Sequence, residues 1–235
     1  MDITAIKSQP RWQALVAFVD GLFERPLDAE SGQPGSALDA VEARIGVSLP
    51  LAVREWYQLI GKRPDVTCGD DHITQLHELS PDTDGFLSLY WESQMIWDCG
   101  IRMAEADCED PPAYFKDPEM DYVVDYGLHP EAVVHENLVQ LADTVSEFLT
   151  HMAMIQRLVG LHDPDLIPAW RPGVWYGQAR DMRVKSKAIK ELECTKLLEL
   201  PSGECLHSSA PAALLLEGFS GFFITRDRQL WDQLT

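Results

Sequence analysis

The 235 residues are 46% hydrophobic, 9% aromatic and 24% charged, a balance that supports a buried core and excludes a disordered chain. The formal charge of −19 is unevenly spread: residues 1–160 hold 28 carboxylates against 10 cations, and Asp65 to Asp125 holds 16 carboxylates against Arg102 and Lys116. Such a field repels phosphate backbones and anionic lipid and draws in basic partners, so direct nucleic-acid or membrane binding is not expected; the charge by itself fits a basic protein partner and simple solubility equally.

In chain order, Trp12, Leu15, Val16, Val19, Leu22 and Phe23 fall at helical spacing after Pro10, which predicts an amphipathic first helix over Arg11 to Phe23. The Pro-, Gly- and Ser-rich stretch PLDAESGQPGS then predicts a linker. Ser36 and Asp39 suggest a capping box for a second helix that carries Leu38, Val41 and Ile45 and stops at Gly46. Pro50 starts a third helix, with Val53, Trp56, Tyr57 and Ile60 on one face, and Gly61 ends it.

From Phe86 the pattern shifts to short aromatic and β-branched runs, FLSLYW, MIWDCGIRM and YVVDY, which predict a strand meander. Leu141 to Val159 returns to helical spacing, and in the tail WYGQARDM, Glu204 to His207 and Gly221 to Thr225 are candidate strands. These elements imply an α+β fold: a mostly antiparallel twisted sheet of about five to seven strands flanked by helices. An N-terminal helix occupies residues 1–30, a core 31–160, and a C-terminal extension of the same domain 161–235.

Cys68, Cys99, Cys108, Cys194 and Cys205 are odd in number, and the N-terminus has no apolar signal core, so a reducing cytoplasm is expected. No apolar run reaches the roughly 18 residues needed to span a bilayer. The longest candidate, AALLLEGFSGFFI, is broken by Glu217 and two glycines.

Catalytic chemistry finds little support. Cys68, Asp70, Asp71, His72 and His77 are all metal-ligating types, but their spacing fits neither a helix face nor a strand face, so no metal is expected. Cys99 lies in an apolar strand, where a buried inert thiol is expected. Paired carboxylates such as Glu105 with Asp107 and Glu109 with Asp110 suit a charged surface, and no phosphate-cradling or nucleophile-elbow motif occurs. Neither catalytic residues nor a cofactor are predicted.

LDAVEARIGVSLPLAVREWYQLIG followed by WESQMIWDCGIRMAEADCEDPPAYF resembles the SUKH superfamily, which includes fungal cell-wall synthesis regulators and bacterial toxin-immunity proteins. The matching residues are Glu42, Ile45, Gly46, Leu49, Pro50, Trp56, Tyr57 and Gly61. A second block comprises Glu92, Ser93, Gln94, Trp97, Gly100, Ile101, Asp110, Pro111, Pro112 and Tyr114, and the helix SEFLTHMAM resembles the last helix of the family. Together they cover about 120 residues, Ala37 to Gly160.

Gly46, Leu49, Pro50, Trp56, Gly61, Trp97, Gly100, Pro111 and Pro112 are packing and turn residues, so the resemblance implies a scaffold that carries specificity on its surface. It also implies an immunity protein that neutralises a basic, nuclease-like toxin. The alternatives are a regulatory adaptor of a biosynthetic or cell-wall complex and, third, an enzyme. For a basic partner, Asp82, Asp84, Glu105, Asp107, Glu109 and Asp110 would supply attraction, with Trp91, Glu92 and Tyr114 in the contact.

Overall fold

Apolar residues recurring every three or four positions place five helices within the first 67 residues: α1 (Ile3–Lys7), α2 (Gln13–Leu22), α3 (Gly35–Ile45), α4 (Leu51–Ile60) and α5 (Pro64–Thr67). The computed structural model describes residues 2–69, 71–92, 98–116, 133–135, 138–159, 170–178, 195–199, 205–209, 213–217 and 222–235. Pro10 opens a short 3-10 turn, Pro10–Trp12, that leads into α2.

The stretch expected to be a linker is packed. Leu27 and Ser31 are buried, the Lys62 amide donates to the Ser31 carbonyl at 2.9 Å, and the Gln33 amide donates to the Tyr57 carbonyl at 2.8 Å. A Cβ on Gly32 would stand 1.6 Å from the Gln58 carbonyl oxygen, so glycine is what lets this backbone lie against α4. The small residues that suggested flexibility serve close approach instead.

The expected capping box is also corrected. Extended Pro34 (φ −69°, ψ 149°) is the N-cap and α3 starts at Gly35, which leaves Ser36 inside the first turn and Asp39 bonded to Arg54 at 2.8 Å. Gly46 ends α3 at φ +77°, the left-handed conformation that favours glycine. Glu42 holds the turn to α4 by accepting from the Leu49 amide at 2.7 Å and from the Arg54 guanidinium. Pro50 is the N-cap of α4, and Gly61 closes that helix.

The strands β1 (His72–Ile73), β2 (Phe86–Trp91), β3 (Asp98–Arg102), β4 (Ala113–Lys116), β5 (Val133–His135) and β6 (Leu138–Ala142) form an antiparallel sheet in the order β1-β2-β3-β4-β6-β5. FLSLYW is β2 in full. YVVDY, together with Trp97 and its neighbours Ser93 and Gln94, lies outside the described residues. Alternation sends Leu87, Cys99, Ile101, Phe115 and Val139 into the main core, while Phe86, Tyr114 and Leu138 form a small cluster on the opposite face.

The long helix is α6 (Val145–Val159) and starts later than its spacing suggested, because Leu141 and Ala142 belong to β6, where Ala142 pairs with Ala113 of β4. Its start is fixed from outside: Asp110 accepts from the Ser146 amide at 2.9 Å and from the Ser146 hydroxyl at 2.6 Å. Phe148, Leu149, Met152 and Ile155 are buried on α6. Each contributes about 1.5–3 kcal/mol of hydrophobic stabilisation.

A second antiparallel sheet, in the order β7-β11-β10-β9-β8, comprises β7 (Trp175–Gln178), β8 (Thr195–Glu199), β9 (Cys205–Ser209), β10 (Ala213–Glu217) and β11 (Phe222–Thr225). The terminal helix α7 (Arg228–Leu234) is capped by Asp227, which accepts from the amides of Gln229 and Leu230. α6 meets α4, α5 and β6 and also β8, β10 and β11. Ile224 joins the main core, with Trp170 and Leu197 packed against it. The fold is α+β, and among the described residues no helix is long and apolar enough to cross a membrane.

Candidate interaction site

Two acidic loops meet at one end of the first sheet. The turn before β2 and the connection from β3 to β4 are tied together by the Met103 amide, which donates to the Gly85 carbonyl at 2.8 Å. Strand register explains the meeting: Phe86 pairs with Arg102, and β4 returns antiparallel from the same end. The start of α4 is anchored there too, because the Ala52 amide donates to the Glu109 carbonyl at 2.8 Å.

The six loop carboxylates singled out from sequence divide into two sets. Asp82 is structural: it accepts from the amides of Asp84 and Phe86, each at 2.9 Å, and from Lys116. Despite a desolvation cost, these bonds hold its carboxyl below the usual aspartate range. Glu105 bonds Arg102 at 3.2 Å and receives the Tyr114 hydroxyl at 3.0–3.1 Å, and Asp110 caps α6. Those three carboxylates maintain the loops.

Asp84, Asp107 and Glu109 face solvent. The side chains of Asp84 and Glu109 are each 74% exposed and make only long ion pairs, to Lys116 at 3.6 Å and to Arg11 at 3.7 Å. Asp107 is exposed and has no ion pair among the described residues. Pairs of this kind are weak in water, so these carboxylates remain able to meet a cation on another molecule. Glu147, at the start of α6, lies in the same field: burial first, then Asp143 and Asp110, raise its pKa.

The aromatic candidates separate as well. Tyr114 is 3% exposed and its hydroxyl is held by Glu105, so its ring supports the sheet face instead of presenting a free anchor. Burial is the main cause of its raised pKa. Trp91, at the end of β2, is half-buried and borders a cavity of about 230 Å³, and Glu92 follows it, also half-buried.

Trp56 is buried, with its ring centroid 6.0 Å from that of Trp12. Gly100 is buried in β3, where a Cβ would meet the Leu87 carbonyl at 2.0 Å. Buried Pro111 accepts the Val145 amide at 2.6 Å, and Pro112 leads into β4. The motif residues that can be seen are thus packing and turn elements, while Trp97 lies outside the described residues.

Sequence spacing weighed His72 only as a metal-ligating type and missed the other groups that line the cavity: Thr74, Glu78, Ser80 and Ser88. Alternation alone would set Ser88 and Trp91 on opposite faces; a register shift between Ser88 and Tyr90 brings them to one face, and His72 pairs with Trp91 across β1 and β2. Ser88 donates to Asp98, whose pKa is raised chiefly by burial. Cys99 is buried, and desolvation drives its thiol pKa well upward, which leaves it a poor nucleophile.

Cys68 and His72 meet only as partners of an isolated bridge, and His77 is exposed on the next turn. Among the described residues no group of three or more His, Cys, Asp or Glu side chains is gathered to hold a metal ion. No family model, curated protein or solved structure matches the chain.

Proposed function

We propose that the chain is a non-catalytic binding protein of SUKH type, an immunity protein that docks on a basic, nuclease-like toxin domain and occludes its active site. One observation supports this reading most directly: Asp84, Asp107 and Glu109 stand exposed on two loops that neighbouring backbone bonds hold in place. Fixed, solvent-facing carboxylates accelerate encounter with a basic surface and lose little freedom on contact. The net charge of residues 1–160 extends the same field over a longer range.

The test begins with capture of the full-length tagged protein's partner from native cells at low and moderate salt. Association of that purified partner is then measured by stopped-flow across a salt series. Reversing the three charges together (Asp84→Lys, Asp107→Lys, Glu109→Lys) should slow association about tenfold or more at low salt and flatten its salt dependence. The captured polypeptide should also be toxic when expressed alone and silent when expressed with this chain. A non-basic partner, or kinetics indifferent to the triple reversal, overturns the proposal.

A further inference from the structure

The cavity beside Trp91 adjoins the Asp82–Asp84 turn: Ser80 lines it, and Pro81 bridges to Leu87 of β2. Its volume of about 230 Å³ is below the roughly 300–1,000 Å³ of sites that enclose whole small molecules. It is sized for one side chain. His72, Thr74, Ser88 and Trp91 come from the same face of the sheet, and Glu78 and Ser80 form the exposed rim.

The lining is built to accept hydrogen bonds. Thr74 is 3% exposed, and its hydroxyl has no hydrogen-bond partner among the described residues. Buried hydroxyls are ordinarily paired, and this one has both its proton and its lone pairs uncommitted among the described residues. Ser88 spends its proton on Asp98 and retains its lone pairs, and Glu78 contributes a carboxylate that already receives the Gln75 amide at 2.9 Å. Among the described residues no lysine or arginine lines the cavity; Lys116 is bound to Asp82 and Asp84. The indole of Trp91 adds a flat aromatic wall.

Several acceptors, negative charge and an aromatic wall match a planar, cationic group that only donates. We propose that this cavity is an arginine-reading pocket that takes the guanidinium of an arginine presented by the docking protein. An ammonium group has the charge but neither the plane that stacks on Trp91 nor the forked donors. The pocket deepens the proposed function and rests on its basic partner, yet it can be tested without one.

The probes are N-acetyl-arginine methylamide, its neutral isostere N-acetyl-citrulline methylamide, the lysine equivalent, and free agmatine. Each is titrated into the full-length protein while the Trp91 indole and Thr74 methyl signals are followed by NMR. The arginine amide should shift both signals saturably, and citrulline should not. Trp91→Leu should weaken binding about tenfold and Thr74→Val about fivefold.

Thr74→Val separates binding from mere packing. Replacing an unpartnered buried hydroxyl with a methyl should leave the melting temperature unchanged or raised, so weaker arginine binding in a variant at least as stable reports the pocket. Equal binding of citrulline, unaltered affinity in Thr74→Val, or silence at Trp91 overturns the pocket and leaves the acidic-loop reading standing. Binding of agmatine without the arginine amide overturns the protein-borne source, because the ligand is then a free small molecule. Failure of the charge-reversal experiment with intact arginine binding would remove the acidic-loop reading alone.

Discussion

His151 should make this protein lose stability as the pH falls below neutrality. The imidazole lies on α6 at 6% exposure, its Nδ1 has no hydrogen-bond partner among the described residues, and burial pushes its pKa down to about 4. In the unfolded chain the same group titrates near the ordinary value of about 6.5. Above that pH both forms are neutral and the group makes no difference. Below it the unfolded chain takes up the proton first, which favours unfolding until the pH passes the folded pKa.

With those two pKa values, the loss between pH 7 and pH 5 is about 2 kcal/mol, rising to a limit of about 3 kcal/mol below pH 4. That is a large part of the roughly 5–15 kcal/mol of a typical domain. The assay is urea unfolding of the wild type and His151→Leu at a series of pH values, comparing the difference between them so that carboxylates common to both cancel. The difference should change by about 2 kcal/mol toward the variant at low pH. A difference constant across the series refutes the reasoning, because the histidine would then be charged or exposed in the folded protein.

Two further outcomes follow from buried groups near the helices. Glu55, 1% exposed, accepts from the Trp12 indole at 2.9 Å and faces Arg11 at 3.3 Å. Glu55→Ala leaves the Trp12 indole without its acceptor and Arg11 with only its longer pairs to Glu109 and Asp110, and should cost about 1–3 kcal/mol, read by urea unfolding, with Glu55→Gln recovering part of it. Gly32→Ala forces a Cβ into the Gln58 carbonyl and should destabilise by on the order of 3 kcal/mol or abolish folding. Gly21→Ala, where a Cβ meets nothing within 4 Å, is its control and should leave the melting temperature unchanged or higher.

The candidate site was only partly legible in the chain. Charge counting found the acidic loops, because clustered Asp and Glu with few cations are visible without any fold. It could not distinguish Asp107, which is exposed, from Asp110, which spends its carboxylate on the first turn of α6. That difference depends on a contact between residues 36 positions apart. Tyr114 misled for the same reason: aromatic and flanked by charge in sequence, it lies in a cluster with Phe86 and Leu138, its hydroxyl held by Glu105.

Local chemistry sufficed for the end of α3, for α4 and for β2, where a left-handed Gly46, a Pro50 cap and the short apolar and aromatic FLSLYW run act over a few residues. It also sufficed for the α+β class and the acidic field, since periodicity and charge are properties of the chain itself. Tertiary structure decided that PLDAESGQPGS packs against α4, that Leu141 belongs to a strand instead of starting a helix, and that Thr74, Ser88 and Trp91 line one cavity. Each of those outcomes rests on pairing between distant segments, and the free energy of such pairing is written in no single stretch of residues.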